Sequence, residues 1–140
     1  MLKGIPSIIS PEMLKVLSEM GHGDEIVIAD GNFPAASIAK RLIRADGHDI
    51  PKLLKAILSL FPLDTYASEN VVLMEVVKGD KTETPIWDVY KKIAAKDGGA
   101  VIKNIERFAF YERAENAYAV IATGESALYA NIILKKGVIK

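Results

Sequence analysis

Gly21-His22-Gly23-Asp24-Glu25-Ile26-Val27-Ile28-Ala29-Asp30 packs a turn, a short apolar strand and a terminal acid into consecutive positions. The run from Glu25 to Ala29 is nearly unbroken and apolar, the pattern of a strand covered on both faces. A strand covered on both faces implies helices on either side of a sheet, which selects the α/β class. His22 stands between two residues that cannot shield it. Histidine has an unperturbed pKa of ~6.5, so it can give and take protons near neutral pH. The segment therefore reads as a general acid/base displayed at a strand edge. The competing reading makes Gly21 a left-handed helix terminator and His22 an ordinary turn residue.

Upstream, Ser10-Pro11 opens a helix, with Ser as N-cap and Pro at the first helical position. Met13, Leu14, Val16, Leu17 and Met20 form its apolar face. Downstream, Asp30 to Pro34 is a loop by composition. Arg41 to Ala45 reads as a strand closed by Asp46-Gly47, and Asp49-Ile50-Pro51 starts a helix that runs towards Pro62. Val71 to Val77 reads as a strand, with a turn at Gly79-Asp80. Thr84-Pro85 opens a helix ending near Gly98-Gly99. Val101 to Ile105 is a further strand, and Phe108 to Ala117 has an ambiguous period that admits a short helix. Tyr118 to Thr123 and Asn131 to Leu134 read as the last strands. This alternation predicts one domain over residues 1–140, a layered α/β/α unit. The short loop at Gly124-Glu125 between the last strands suggests a mixed central sheet.

The 140 residues are half hydrophobic, enough for one core. Lys plus Arg and Asp plus Glu each number 18, for zero net charge. No basic stripe points to nucleic acid. Zero net charge with a high apolar fraction favours self-association. There is no cysteine, which removes thiolate chemistry and fits a cytoplasmic protein. No apolar run reaches the ~20 residues of a membrane span, and the first residues lack the pattern of a signal peptide. Glycine-rich dinucleotide and phosphate loops are absent. His22 and His48 do not form a His-x-x-x-His pair, so neither a structural zinc site nor a metal-dependent catalyst is expected. What remains is one exposed histidine, carboxylates, Arg, Tyr and amides. That inventory suits an uncharged polar ligand and simple proton transfer.

Asp30 follows a strand where α/β sheets place their ligands, or is a turn acid bonded to nearby amides. Asp24 reads as a cap on the turn before the strand. Arg107 follows the strand ending at Ile105 and could orient a polyol, or pair with Glu106 or Glu112. Arg113 reads as solvated. Tyr129-Ala130-Asn131 reads as opening the last strand, which puts Tyr129 and Asn131 on one face, where they offer hydrogen bonds to sugar hydroxyls. The alternative is packing for Tyr129 and turn chemistry for Asn131.

Taken together, Gly21-His22-Gly23-Asp24-Glu25, Asp30 with Phe33-Pro34, Ile43-Arg44-Ala45-Asp46-Gly47 and Pro62-Leu63-Asp64-Thr65-Tyr66 resemble the fucose mutarotase and ribose pyranase family. Arg107-Phe108-Ala109-Phe110-Tyr111-Glu112-Arg113-Ala114 favours its fucose branch. Thr123-Gly124-Glu125 and Tyr129 to Val138 extend the likeness to the C-terminus. Gly31-Asn32, Ala130 and the stretch from Lys78 to Gly99 depart from the pattern. The resemblance implies a ribose-pyranase-like fold and an isomerase that interconverts the anomers of a free monosaccharide without metal or other cofactor. It implies His22 as proton donor and Asp30, Arg107, Tyr129 and Asn131 as sugar contacts. It further implies a homo-oligomer, commonly a decamer of two stacked pentamers, with sites near subunit boundaries. A ribose pyranase and a non-catalytic sugar-binding module are the competing functions.

Overall fold

A computed structural model describes residues 1–96 and 98–140. Its strands are β1 (Glu25–Ala29), β2 (Leu42–Ala45), β3 (Val71–Met74), β4 (Ile102–Ile105), β5 (Ala119–Thr123) and β6 (Ile132–Lys135). The helices are α1 (Pro11–Glu19), α2 (Ala35–Ile38), α3 (Ile50–Leu58), α4 (Pro85–Ala95) and α5 (Arg107–Asn116). The strands form one sheet in the order β2-β5-β1-β6-β3-β4. β1, β2 and β5 run parallel to one another, as do β3 and β4. β6 is antiparallel to both of its neighbours, β1 and β3. The sheet is mixed, as expected, and β6 alone among the described strands runs against the rest.

Alternation along β1 divides the interior in two. Ile26 and Ile28 face a core built with Met13, Val16 and Leu17 of α1, Leu53, Leu54 and Ile57 of α3, and Tyr90 of α4. Val27 and Ala29 face a second core with Ala35 of α2 and with Phe110 and Ala114 of α5. Ile26 to Ala29 have no exposed surface, so the apolar strand is explained by a helical layer on each side. The α/β/α layering follows.

The helix starts obey the chemistry of their caps. Ser10 Oγ accepts the Met13 N–H and Asp49 Oδ1 accepts the Lys52 N–H. α5 lacks a broad apolar stripe, because Phe110 and Ala114 are its buried residues. Its start is fixed by Glu106, whose two carboxylate oxygens accept the N–H groups of Phe108 and Ala109. That cap makes a helix of a segment whose period alone is ambiguous.

Several local expectations are corrected. α1 ends at Met20 in extended conformation, and the left-handed glycine is Gly23, with φ of 88°. Gly23 donates its N–H to the Lys136 carbonyl, which docks the turn on the end of β6. β3 stops at Met74, because its partner β4 ends at Ile105 and turns into α5. α2 occupies part of the stretch after Pro34, where no helix was expected. Arg113 is not solvated: its guanidinium forks Glu25 at 2.6–3.1 Å and reaches Glu69 at 3.4 Å. Tyr129 and Asn131 precede β6 instead of opening it, and Tyr129 is left-handed with φ of 55°.

Candidate active site

The orientation of β6 sets up the site. The carboxyl ends of β1, β3 and β4 lie at one edge of the sheet, and the antiparallel β6 begins there. Asp30 follows β1, Arg107 opens α5 after β4, and Tyr129 and Asn131 lead into β6. All four line one cleft of about 310 Å³, together with Asn32, Phe33, Met74, Val77, Asp80, Tyr111 and Leu128. Four of the five residues singled out from the sequence are thus brought together.

Asp30 is buried. Its Oδ1 accepts the Asn32 N–H at 3.0 Å and its Oδ2 the Ala130 N–H at 3.4 Å. Burial holds its carboxyl above the usual range, against the pull of these amide bonds. Asn131 Oδ1 accepts the Asp30 N–H at 2.8 Å. Among the described residues its Nδ2 has no protein acceptor. Asp30 does make the local bonds of a turn acid, and it does so while lining the cleft.

Arg107 is exposed and pairs with neither Glu106 nor Glu112. Its guanidinium lies 5.2 Å from the Phe108 ring centre and 5.5 Å from that of Tyr111. These aromatic faces hold the cation at the mouth of the cleft. Phe33 and Tyr111 meet edge to face at 5.4 Å and with Met74 form the apolar part of the lining. Phe110 is wholly buried in the core and Phe108 lines an adjoining cavity, so neither belongs to it.

A left-handed tyrosine costs roughly 1–2 kcal/mol, and here it is held from three sides. Trp87 Nε1 donates to the Tyr129 carbonyl at 2.8 Å, and Tyr90 Oη donates to the Ala130 carbonyl at 2.7 Å. The Tyr129 hydroxyl donates to Asp80 at 2.6 Å. Burial pushes the Tyr90 phenol far up, so it remains a donor. α4 therefore clamps the backbone that leads into β6.

His22 is elsewhere. It precedes β1, whereas Asp30 follows it, and a five-residue strand spans roughly 16 Å. His22 lines a mostly apolar cavity of about 470 Å³ with Leu14, Met20, Leu60, Pro62 and Val138. Its side chain is 46% exposed, and Nε2 lies 3.0 Å from Asp64 Oδ1. Asp64 is buried and also accepts the Tyr66 N–H. That amide bond and the His22 contact hold the Asp64 carboxyl below its usual range. An ionised carboxylate can only accept, so Nε2 is the donor in this contact. The Tyr66 ring flanks the imidazole at 5.6 Å. Asp64 was quoted from the sequence without a role; its signal is the spacing Asp64-Thr65-Tyr66, an Asx turn. Asp24 is the cap it was read to be, accepting the Gly21 N–H at 2.7 Å.

Among the described residues, no three His, Asp or Glu side chains converge as metal ligands. Among the described residues, no helix is long and apolar enough to cross a membrane.

Residues 3–139 match the model of the RbsD / FucU transport protein family. The chain is 57% identical to the fucose mutarotase of Danio rerio, over 99% of its own length and 94% of the relative's. It superposes with a TM-score of 0.93 on the fucose mutarotase of Streptococcus pneumoniae solved in complex with L-fucose, at 52% identity, covering 99% of this chain and all of that one. Bacillus subtilis RbsD, solved with D-ribose, shares the fold with a TM-score of 0.76 at 24% identity, over the full length of both chains.

Proposed function

The chain belongs to the RbsD / FucU transport protein family, and we propose that it is an L-fucose mutarotase, an isomerase that interconverts the α and β anomers of the free sugar. The supporting observation is the cleft at the carboxyl edge of β1. It combines an acceptor in Asp30, donors in Arg107 and Asn131, and an apolar wall of Phe33, Tyr111 and Met74 that suits the methyl group of L-fucose. In this reading one domain, residues 1–140, carries the activity in the cytoplasm.

An aldose changes anomer by opening its ring, rotating the aldehyde and closing again. Opening needs a proton at the ring oxygen and the loss of one from the anomeric hydroxyl. General acid/base groups of this kind contribute about 10²–10⁴-fold each. His22 is the proton donor in our reading, oriented through Nε2 by Asp64. Asp30, Arg107, Tyr129 and Asn131 are the substrate contacts.

His22 and the cleft lie at opposite ends of β1, too far apart for one sugar ring to touch both. We therefore assign each complete site to two copies of the chain, one giving the cleft and the other giving His22. Exposed Val77, Phe108 and Leu128 surround the cleft, and exposed Tyr66 and Ile139 lie at the His22 edge. These are two different apolar patches. A contact between them is head to tail, and such contacts close into rings when the rotation permits. A decamer of two stacked pentamers is the assembly we favour.

The test is saturation transfer between the anomeric proton signals. Exchange should be faster with L-fucose than with D-ribose at equal enzyme and sugar. The reverse order would make the protein a ribose pyranase. An absence of exchange with either sugar would leave a sugar-binding module.

A further inference from the structure

We propose that Asp80 is a positioning residue for Tyr129, which by accepting the hydrogen bond of the phenol leaves Tyr129 Oη as a hydrogen-bond acceptor towards the cleft. This rests on the mutarotase reading and adds to it the polarity of one substrate contact. The two residues are far apart in sequence and come from different elements. Asp80 sits on the exposed loop between β3 and α4, and Tyr129 leads into β6.

The assignment follows from counting donors and acceptors. A phenol has one proton to donate, and its oxygen can accept. The Tyr129 proton is committed to Asp80 Oδ2 at 2.6 Å. The Val77 N–H donates to the same phenolic oxygen at 3.3 Å. What the oxygen still offers a ligand is acceptance of one more bond.

Asp80 itself has little freedom. Its Oδ1 accepts the Thr82 N–H at 2.9 Å and the Thr82 hydroxyl at 2.6 Å. Its own N–H bonds the Val77 carbonyl at 2.9 Å, across Gly79 in left-handed conformation. The carboxylate is thus split, one oxygen turned to its loop and the other to Tyr129. In keeping with this, Asp80 holds the Tyr129 phenol above its ordinary range. Thr82 and then Tyr129 hold the Asp80 carboxyl below its own.

Trp87 completes the arrangement by fixing the Tyr129 carbonyl, which holds the backbone that carries the ring. The cleft then has a set polarity. Asp30 and Tyr129 accept, while Arg107 and the Asn131 amide donate. A sugar must place donating hydroxyls against the first pair. A group that cannot donate there would leave the buried Asp30 carboxylate and the phenolic oxygen short of a partner, which costs affinity.

The test uses Asp80→Asn and Asp80→Ala, each made alone and in a Tyr129→Phe background. Asparagine is isosteric. Its oxygen will keep the two Thr82 donors, turning its amide towards Tyr129 and driving the phenolic proton into the cleft. Both single variants should raise KM for L-fucose about tenfold, with kcat within about twofold. In the Tyr129→Phe background neither should have a further effect, because interacting positions are not additive. A purely structural role would leave Asp80→Asn like the wild type, and a proton relay would lower kcat instead. Additive effects would mean that Asp80 acts without Tyr129. Any of these three results overturns the proposal. The wild-type exchange rate in the same series tests the mutarotase reading separately. The ¹³Cζ resonance of labelled Tyr129 reports the phenol's hydrogen bond whatever the activity. It should move in Asp80→Asn, and an unmoved resonance would also overturn the assignment.

Discussion

His22→Ala is expected to slow L-fucose anomer exchange by roughly 10²–10⁴-fold while the protein stays folded. The loss is large because the variant removes the one imidazole that Asp64 orients. The fold should survive because the turn is held by its backbone and by Asp24. Gly21 donates to Asp24 Oδ2, Gly23 donates to the Lys136 carbonyl and Lys136 donates to the Asp24 carbonyl. Asp64 keeps the Tyr66 N–H. Saturation-transfer rates and a thermal unfolding curve measured on one preparation check both halves. A wild-type exchange rate in the variant would return His22 to the role of an ordinary turn residue.

Asp30→Ala is the second large effect. L-fucose affinity should fall roughly 10–100-fold, the magnitude of losing a hydrogen bond to a charged group in a buried site. Titration calorimetry measures it, and an unchanged affinity would leave Asp30 as a turn acid only. The pH dependence has a definite sign. Burial raises the folded pKa of Asp30 above its unfolded value. The native state therefore holds this proton more tightly, and the stability linked to it is present at low pH and lost as pH rises through that window. Binding runs the other way. The ionised acceptor disappears as pH falls through the raised folded value, and affinity for L-fucose should fall with it. A carboxyl kept buried in a cleft against its effect on stability marks a candidate ligand site.

Much of this was legible in the sequence because short-range chemistry decided it. The apolar run after Glu25 implied two covering layers, and Ser10-Pro11 and Asp49-Ile50-Pro51 marked helix starts through their caps. The helical state of α5 depended on Glu106 turning its carboxylate back onto Phe108 and Ala109, which periodicity does not register. The fate of Arg113 depended on Glu25 and Glu69, brought to it by the fold from distant positions. The expectation that Tyr129 and Asn131 share a strand face failed for a related reason. Trp87 and Tyr90, also remote in sequence, hold Tyr129 in a left-handed conformation before the strand begins. The two residues still meet in the cleft, through a turn instead of a pleat.

The separation of His22 from Asp30 had no sequence signature beyond the strand between them. Its consequence in the mutarotase reading is the completion of each site by a second copy. Subunits carrying His22→Ala and subunits carrying Asp30→Ala should each be nearly inactive alone. Co-expressed into mixed oligomers, they should recover about a quarter of wild-type exchange, since a random head-to-tail contact then pairs an intact cleft with an intact histidine about one time in four. Mixed oligomers of verified composition with no more exchange than the two variants apart would contradict the shared site.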